Sequence, residues 1–151
     1  MAKTLVKIDV HLIFHIKTTS VKMQEKDIPR IHKYMIGIMK NLQAVPICTG
    51  GVCDHVHILC SVPKTMSISD FVRTLKSNSC RWIKSLDSFY SKFEWQTGYG
   101  AFSVSPSIRD KTIQYINNQA EHHKKVLFQD EYIRFLNAYS VEYNPQFDFS
   151  D

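Results

Sequence analysis

The stretch "VKIDVHLIFHIK" (residues 6–17) alternates. Val6, Ile8, Val10, Leu12, Phe14 and Ile16 share one side, and Lys7, Asp9, His11, Ile13, His15 and Lys17 share the other. A period of two is the signature of a β-strand, so the chain opens on a strand with one apolar face. The segments after it decide how that strand is used. In "DIPRIHKYMIGIMKNLQ" (27–43), Ile28, Ile31, Met35, Ile38 and Leu42 recur at helical spacing, with Asp27 as N-cap and Pro29 in the first turn. "AVPICTG" (44–50) predicts a short strand ending in a turn at Gly50 and Gly51, and "HVHILCSV" (55–62) a further strand stopped by Pro63.

The clearest helix is "SISDFVRTLKSNSCRWIKSL" (67–86). Ser67 and Asp70 have the spacing of a capping box. Ile68, Phe71, Val72, Leu75, Trp82, Ile83 and Leu86 gather on one side, and Arg73, Lys76, Arg81 and Lys84 on the opposite side. "GAFSVS" (100–105) reads as a strand, and residues 108–127 are helical in pattern. "EYIRFLNAY" (131–139) is a last short helix before a polar, aromatic tail. The order strand, helix, strand, strand, helix, strand, helix predicts an α+β fold. It is a ferredoxin-like or RRM-like antiparallel sheet with helices packed on one face, followed by a C-terminal helix.

Composition narrows the class. With 151 residues the chain is read as one domain, 1–151, large enough for a core. It is 44% hydrophobic and 22% charged, and no apolar run reaches the ~18 residues that cross a bilayer. Asp9 and His11 interrupt the N-terminal apolar stretch, which argues against a signal peptide. Cys48, Cys53, Cys60 and Cys80 are then expected to be reduced thiols in a cytoplasmic protein without a membrane partner. The formal charge of +5 and pI near 9.0 suit a polyanionic partner.

The chemistry concentrates in "GGVCDHVHILC" (50–60). On a strand, residues i and i+2 face the same way, so His55 and His57 project side by side while Val56, Ile58 and Cys60 face the core. Two parallel imidazoles can hold one metal ion, and Asp54 can accept a ring N–H. A structural zinc site is the weaker reading, because no C-x-x-C pair occurs and Cys60 faces away from the histidines. Further donors come from "TIQYINNQAEHH" (112–123). Its apolar stripe is Ile113, Ile116, Ala120 and, beyond it, Leu127. Tyr115, Gln119 and His122 share another side at i, i+4 and i+7 and can present their groups to one site.

Four blocks in this order, "DHVHIL", "SISDFVRTLKSNSCRWI", "WQTGYGAFSVS" and "IQYINNQAEHH", closely resemble the small single-tyrosine HUH transposases (transposase A type) of the insertion sequence 200/605 family. The likeness runs from "VHLIFHIKTTS" to "NQAEHHKKVLFQDE", and Cys53 and Cys80 depart from the family pattern without touching the implied chemistry. The resemblance implies Tyr115, on the C-terminal helix, as the nucleophile and His55, His57 and Gln119 as ligands of a divalent cation, Mg2+ or Mn2+. It also implies homodimers whose active sites are shared between subunits. The implied activity is cleavage and rejoining of single-stranded DNA beside hairpins, through a 5′-phosphotyrosine. Arg73, Lys76, Arg81 and Lys84 are the expected DNA-binding side chains. Trp95, Tyr99 and Phe102 are either base-stacking or core residues, and His122 is a proton-shuttle candidate. The competing readings are a non-catalytic, domesticated nucleic-acid-binding protein of the same fold and a zinc-stabilised interaction protein.

Overall fold

A computed structural model describes residues 3–143. Four strands form one sheet: β1 (Asp9–His15), β2 (Val45–Val52), β3 (His55–Ser61) and β4 (Gly100–Val104), in the spatial order β2-β3-β1-β4. Every neighbouring pair is antiparallel, and β1 and β3 occupy the centre. Helix α1 (Ile28–Asn41) connects β1 to β2 and α2 (Ile68–Leu86) connects β3 to β4. After β4 come α3 (Arg109–Asn117), α4 (Gln119–His122) and α5 (Phe128–Ala138). This is the ferredoxin-like arrangement predicted from the sequence. Among the described residues no helix is long and apolar enough to cross a membrane.

The alternation in residues 6–17 is used on both faces. Val10, Leu12, Phe14 and Ile16 join Val56, Ile58 and Cys60 in the larger core, beneath Ile31, Met35 and Ile38 of α1 and Phe71, Leu75 and Ile83 of α2. The other face is covered as well, by α3 and α5. Ile13 packs with Phe102, Tyr132 and Leu136, and Leu59 packs with Val104 and Ile116. All seven residues of β1 are therefore buried. The C-terminal helices turn a sheet that would have one wet face into a covered one.

Local details depart from the sequence expectations for physical reasons. Asp27 precedes α1 but makes no capping bond; its carboxylate accepts the Tyr90 hydroxyl at 2.6 Å. Ser67 does cap α2, accepting from the Asp70 backbone N–H at 3.0 Å. The helix expected over 108–127 breaks at Asn118, so Leu127 is exposed rather than continuing the stripe of Ile113 and Ile116. Of the C-terminal tail, residues 144–151 lie outside the described residues.

Where a turn is expected at Gly50 and Gly51, β2 continues to Val52 and the chain reverses at Cys53 and Asp54. Gly50 pairs with His57 in the sheet. A β-carbon there would sit 2.3 Å from the Ile116 carbonyl oxygen and 2.8 Å from Ile116 Cγ2. The missing side chain is what lets α3 lie directly on β2 and bring Tyr115 over the histidines. Gly50→Ala is accordingly expected to cost about 1–3 kcal/mol by overpacking, lowering the melting temperature by about 2–12 °C for a domain of this size. Gly37→Ala, inside α1 with open space around it, serves as control and is expected to stabilise by about 0.5–1 kcal/mol. Equal melting temperatures for the two variants would contradict this account of Gly50.

Candidate active site

His55 and His57 are both fully buried, at 0% exposure, on the face covered by α3 to α5. The register sets His15 beside His55 and Ile13 beside His57. Asp54 lies at the turn before β3, and its Oδ1 accepts from His55 Nδ1 at 2.7 Å. On the other ring, His57 Nδ1 lies 2.8 Å from His11 Nε2. The two Nε2 atoms point away from the sheet toward the C-terminal helices. There His57 Nε2 is 2.9 Å from Glu131 Oε1 and His55 Nε2 is 3.1 Å from Gln119 Oε1.

Glu131, on α5, is the hub of the cluster and is 1% exposed. The Tyr115 hydroxyl donates to its Oε2. Gln119 Nε2 donates to the same oxygen at 3.2 Å, and His122 Nε2 and His123 Nε2 lie 3.0 and 3.2 Å from it. His122 Nε2 is also 3.4 Å from the tyrosine hydroxyl. His55, His57, Tyr115, Gln119 and His122, the residues singled out by pattern and resemblance, thus meet in one place. All five are contributed here by one chain. The apolar cover supplied by Ile116 and Tyr132 carries the tyrosine helix back onto its own sheet.

The basic side chains of α2 do not act as one face. Lys76 is turned inward and donates to the backbone carbonyls of Gln96, at 2.9 Å, and Gly98. Burial brings its ammonium down to about 8. Arg73 pairs with Asp70 at 2.5 Å. Arg73, Lys76 and Lys84, with Lys17 and Tyr99, line a groove of about 510 Å3. Arg81 lines a separate groove between α1 and α2, beside Trp82 and Tyr34, whose rings stack at 4.3 Å. Trp95 and Phe102 are core residues. The four cysteines are free, Cys60 is buried in the core away from the histidines, and no cysteine joins a metal-binding group among the described residues.

Electrostatics follow from the dryness of the site. Burial, together with the Glu131 carboxylate that accepts its hydrogen bond, pushes the Tyr115 phenol far above its ordinary range. Burial also pushes Glu131 upward, but hydrogen bonds and charge from His57 and Tyr115 outweigh it and hold the carboxyl well below the usual range. The proton therefore rests on the tyrosine in this state. Burial lowers His57 to about 4 and His11 to about 3. Unfolded histidines titrate near ~6.5, so below that pH the unfolded chain binds protons that the folded site does not. Stability of the EDTA-treated protein is expected to fall steadily from about pH 6.5 toward about pH 4. Urea midpoints at several pH values check this, and a midpoint unchanged from pH 7 to pH 5 would contradict it.

Within this cluster one ring nitrogen makes no well-aligned hydrogen bond. His123 Nε2 is buried and aimed into the cluster. His55, His57, His123 and Glu131 place one ligand atom each within 4.8 Å of one another, so the residues fit a divalent cation. Glu131, His123 and His11 are the members that pattern reasoning missed. The available signal for Glu131 was its place among Phe128, Tyr132, Phe135 and Leu136, the apolar side of α5.

No curated protein matches the sequence. Among solved structures, a candidate transposase from Deinococcus radiodurans R1 superimposes with a TM-score of 0.60 at 24% identity, covering 79% of this chain and 98% of that one. A REP-associated tyrosine transposase bound to a REP hairpin superimposes with a TM-score of 0.61 at 12% identity, covering 83% of this chain and 74% of the other. At these identities the two neighbours speak to the fold. Residues 4–119, well over half of the sequence, match the family described as Transposase IS200 like, and the chain belongs to that family.

Proposed function

We propose that this protein cleaves and rejoins single-stranded DNA at sites flanked by hairpins, with Tyr115 as the nucleophile. The observation that carries the reading is the Tyr115 hydroxyl held by a buried carboxylate within the cluster formed around His55 and His57. In the first step Tyr115 Oη bonds to phosphorus and the bond from phosphorus to the 3′ oxygen breaks. The tyrosine proton passes to Glu131 or His122, the two groups in reach, and the departing 3′ oxygen takes up a proton. A 5′-phosphotyrosine results. Attack by a 3′ hydroxyl reverses the exchange, reseals a strand and returns the phenol, with the ester energy conserved throughout.

His55 and His57 would hold the divalent cation, Mg2+ or Mn2+, with Gln119 beside them. When bound, the cation supplies Lewis-acid polarisation of a phosphoryl oxygen. Arg73, Lys84 and Arg81 are proposed to meet DNA phosphates, with Lys76 holding the 96–98 segment that walls the groove. Such contacts make affinity salt-dependent. The neighbour bound to a REP hairpin supports hairpins as the recognition element. The chain works in this reading as one cytoplasmic domain, 1–151, that forms homodimers.

The decisive assay incubates the protein and a labelled single-stranded hairpin oligonucleotide with Mn2+ or Mg2+. A denaturant-resistant protein–DNA adduct that EDTA prevents is expected. Tight hairpin binding with no adduct under any divalent cation would favour the non-catalytic alternative. Mixing Tyr115→Phe with His57→Ala protein tests the sharing of sites between subunits: adduct formation is expected to return in the mixture, and its continued absence would show that each site is drawn from one chain. Recovery in the mixture would show that the tyrosine helices exchange between the two subunits of a dimer.

A further inference from the structure

The two β3 imidazoles are not equally prepared for a cation. A neutral imidazole carries one N–H, and the hydrogen bond made by one ring nitrogen decides which nitrogen keeps the lone pair. His55 Nδ1 faces the Asp54 carboxylate at 2.7 Å. An ionised carboxylate only accepts, so the hydrogen sits on Nδ1 and Nε2 is a bare lone pair. Gln119 Oε1 lies 3.1 Å from that nitrogen. The Gln119 amide Nε2 donates to Glu131 Oε2 at 3.2 Å and to the Tyr115 carbonyl at 3.4 Å, which leaves the oxygen as the group turned toward His55. Two acceptors therefore aim at one place. His55 is set in advance to ligate, with Gln119 beside it.

His57 is set the other way. Its Nε2 lies 2.9 Å from Glu131 Oε1, again a group that only accepts, so the hydrogen occupies the very nitrogen a cation would need. His57 Nδ1 is then a lone pair, and 2.8 Å from it stands His11 Nε2. Two lone pairs cannot face each other at that distance, so His11 Nε2 carries a hydrogen and donates it. His11 is buried, on the same face of β1, with its ring edge-on to Phe135 at 5.1 Å. We propose that His11 is a positioning residue that sets the tautomer of His57: it donates to His57 Nδ1 in the metal-free protein and accepts from it once a divalent cation is bound. This rests on the reading that a divalent cation occupies the histidine pair. In the exchange the His57 Nε2 proton leaves to water by way of Glu131, the His11 Nε2 proton crosses to His57 Nδ1, and His11 Nδ1 takes up a proton from water. Each ring ends with one N–H, as it began, and the pair releases no net proton. An imidazole suits this place because either of its nitrogens can hold the hydrogen. A fixed acceptor such as Asp54 would serve only the metal-bound state.

The test is nitrogen NMR of the full-length, EDTA-stripped protein carrying isotopically labelled histidine, at neutral pH and without DNA, before and after saturation with Zn2+ as a diamagnetic probe. Correlations within each ring report which nitrogen bears the hydrogen. In the metal-free protein His55 is expected in the Nδ1–H form, and His57 and His11 in the Nε2–H form. With Zn2+ bound, His57 and His11 are both expected in the Nδ1–H form and His55 unchanged. Calorimetry adds the affinity. His11→Phe keeps a ring against Phe135 and has no nitrogen, and it is expected to weaken Zn2+ binding by about 10–100-fold, the cost of losing an outer-shell partner. His11→Gln, whose amide can turn either its donor or its acceptor to His57, is expected to recover most of that loss. A role in packing alone predicts the reverse order, with Phe tolerated and Gln not. Wild-type affinity in His11→Phe, or a His11 ring that stays in the Nε2–H form when Zn2+ binds, would overturn the assignment; the second result comes from the unaltered chain and does not depend on a variant folding. If His57→Ala binds Zn2+ as tightly as the wild type, the cation reading itself fails. If His57→Ala loses Zn2+ while the His11 tautomer never moves, only the role given to His11 fails.

Discussion

Tyr115→Phe is expected to abolish the covalent protein–DNA adduct, lowering strand cleavage by a factor on the order of 10^6, the scale of deleting a covalent nucleophile. The variant removes one oxygen and leaves the ring, which packs edge-on against His57 at 5.7 Å and Phe135 at 5.7 Å. The fold should therefore survive the change. Its melting temperature stays near that of the wild type or above it, because the lost hydroxyl is one of several donors around Glu131. Hairpin affinity should be retained, since the grooves lined by Arg73, Lys84 and Arg81 are untouched. Cleavage measured by denaturing gel, binding by fluorescence anisotropy and stability by thermal melting give three independent readings. Residual adduct in the variant would move the nucleophile to another residue.

The second large effect belongs to His57→Ala. This side chain is fully buried between His11 and Glu131. Its removal takes away one of the two β3 imidazoles and leaves the Glu131 carboxylate short of a partner. Loss of metal-borne charge stabilisation on the order of 4 kcal/mol corresponds to about a thousandfold slower cleavage. Unlike Tyr115→Phe, which keeps its ring, this variant should also be less stable, because deleting a fully buried ring leaves a cavity as well as an unpaired carboxylate. The paired result expected is thus slow cleavage with a lowered melting temperature for His57→Ala, against no cleavage with an intact fold for Tyr115→Phe. Cleavage by His57→Ala at the wild-type rate, insensitive to EDTA, would remove the strand histidines from the chemistry.

Much of this architecture is legible in the residues because burial imposes a period. In residues 10–16, Val10, Leu12, Phe14 and Ile16 lie in one core, while His11, Ile13 and His15 lie on the opposite face. His55 and His57 stand out for the same reason, since two polar rings two residues apart must share a side. Legibility fails where a residue's role depends on an element far away in sequence. Gly50 and Gly51 look like a turn, yet Gly50 is kept open by α3, more than sixty residues later. Glu131 looks like an ordinary helix-start acid, and only its position among Phe128, Tyr132 and Leu136 betrays its burial. Lys76 looks like part of a solvated cationic stripe and instead closes the 96–98 segment. Helical periodicity over 108–127 cannot register the break at Asn118, which separates the helix carrying Tyr115 from the turn carrying His122.

The most direct test of the central claim is to trap the adduct on a short 3′-labelled hairpin oligonucleotide, digest it with protease and nuclease, and sequence the modified peptide by mass spectrometry. The expected product is a nucleotide joined through its 5′ phosphate to Tyr115, within the peptide containing "TIQYINNQAEHH" (112–123), and no such peptide when the metal is chelated. Attachment at any other side chain, linkage through a 3′ phosphate, or an adduct formed equally well in EDTA would contradict it.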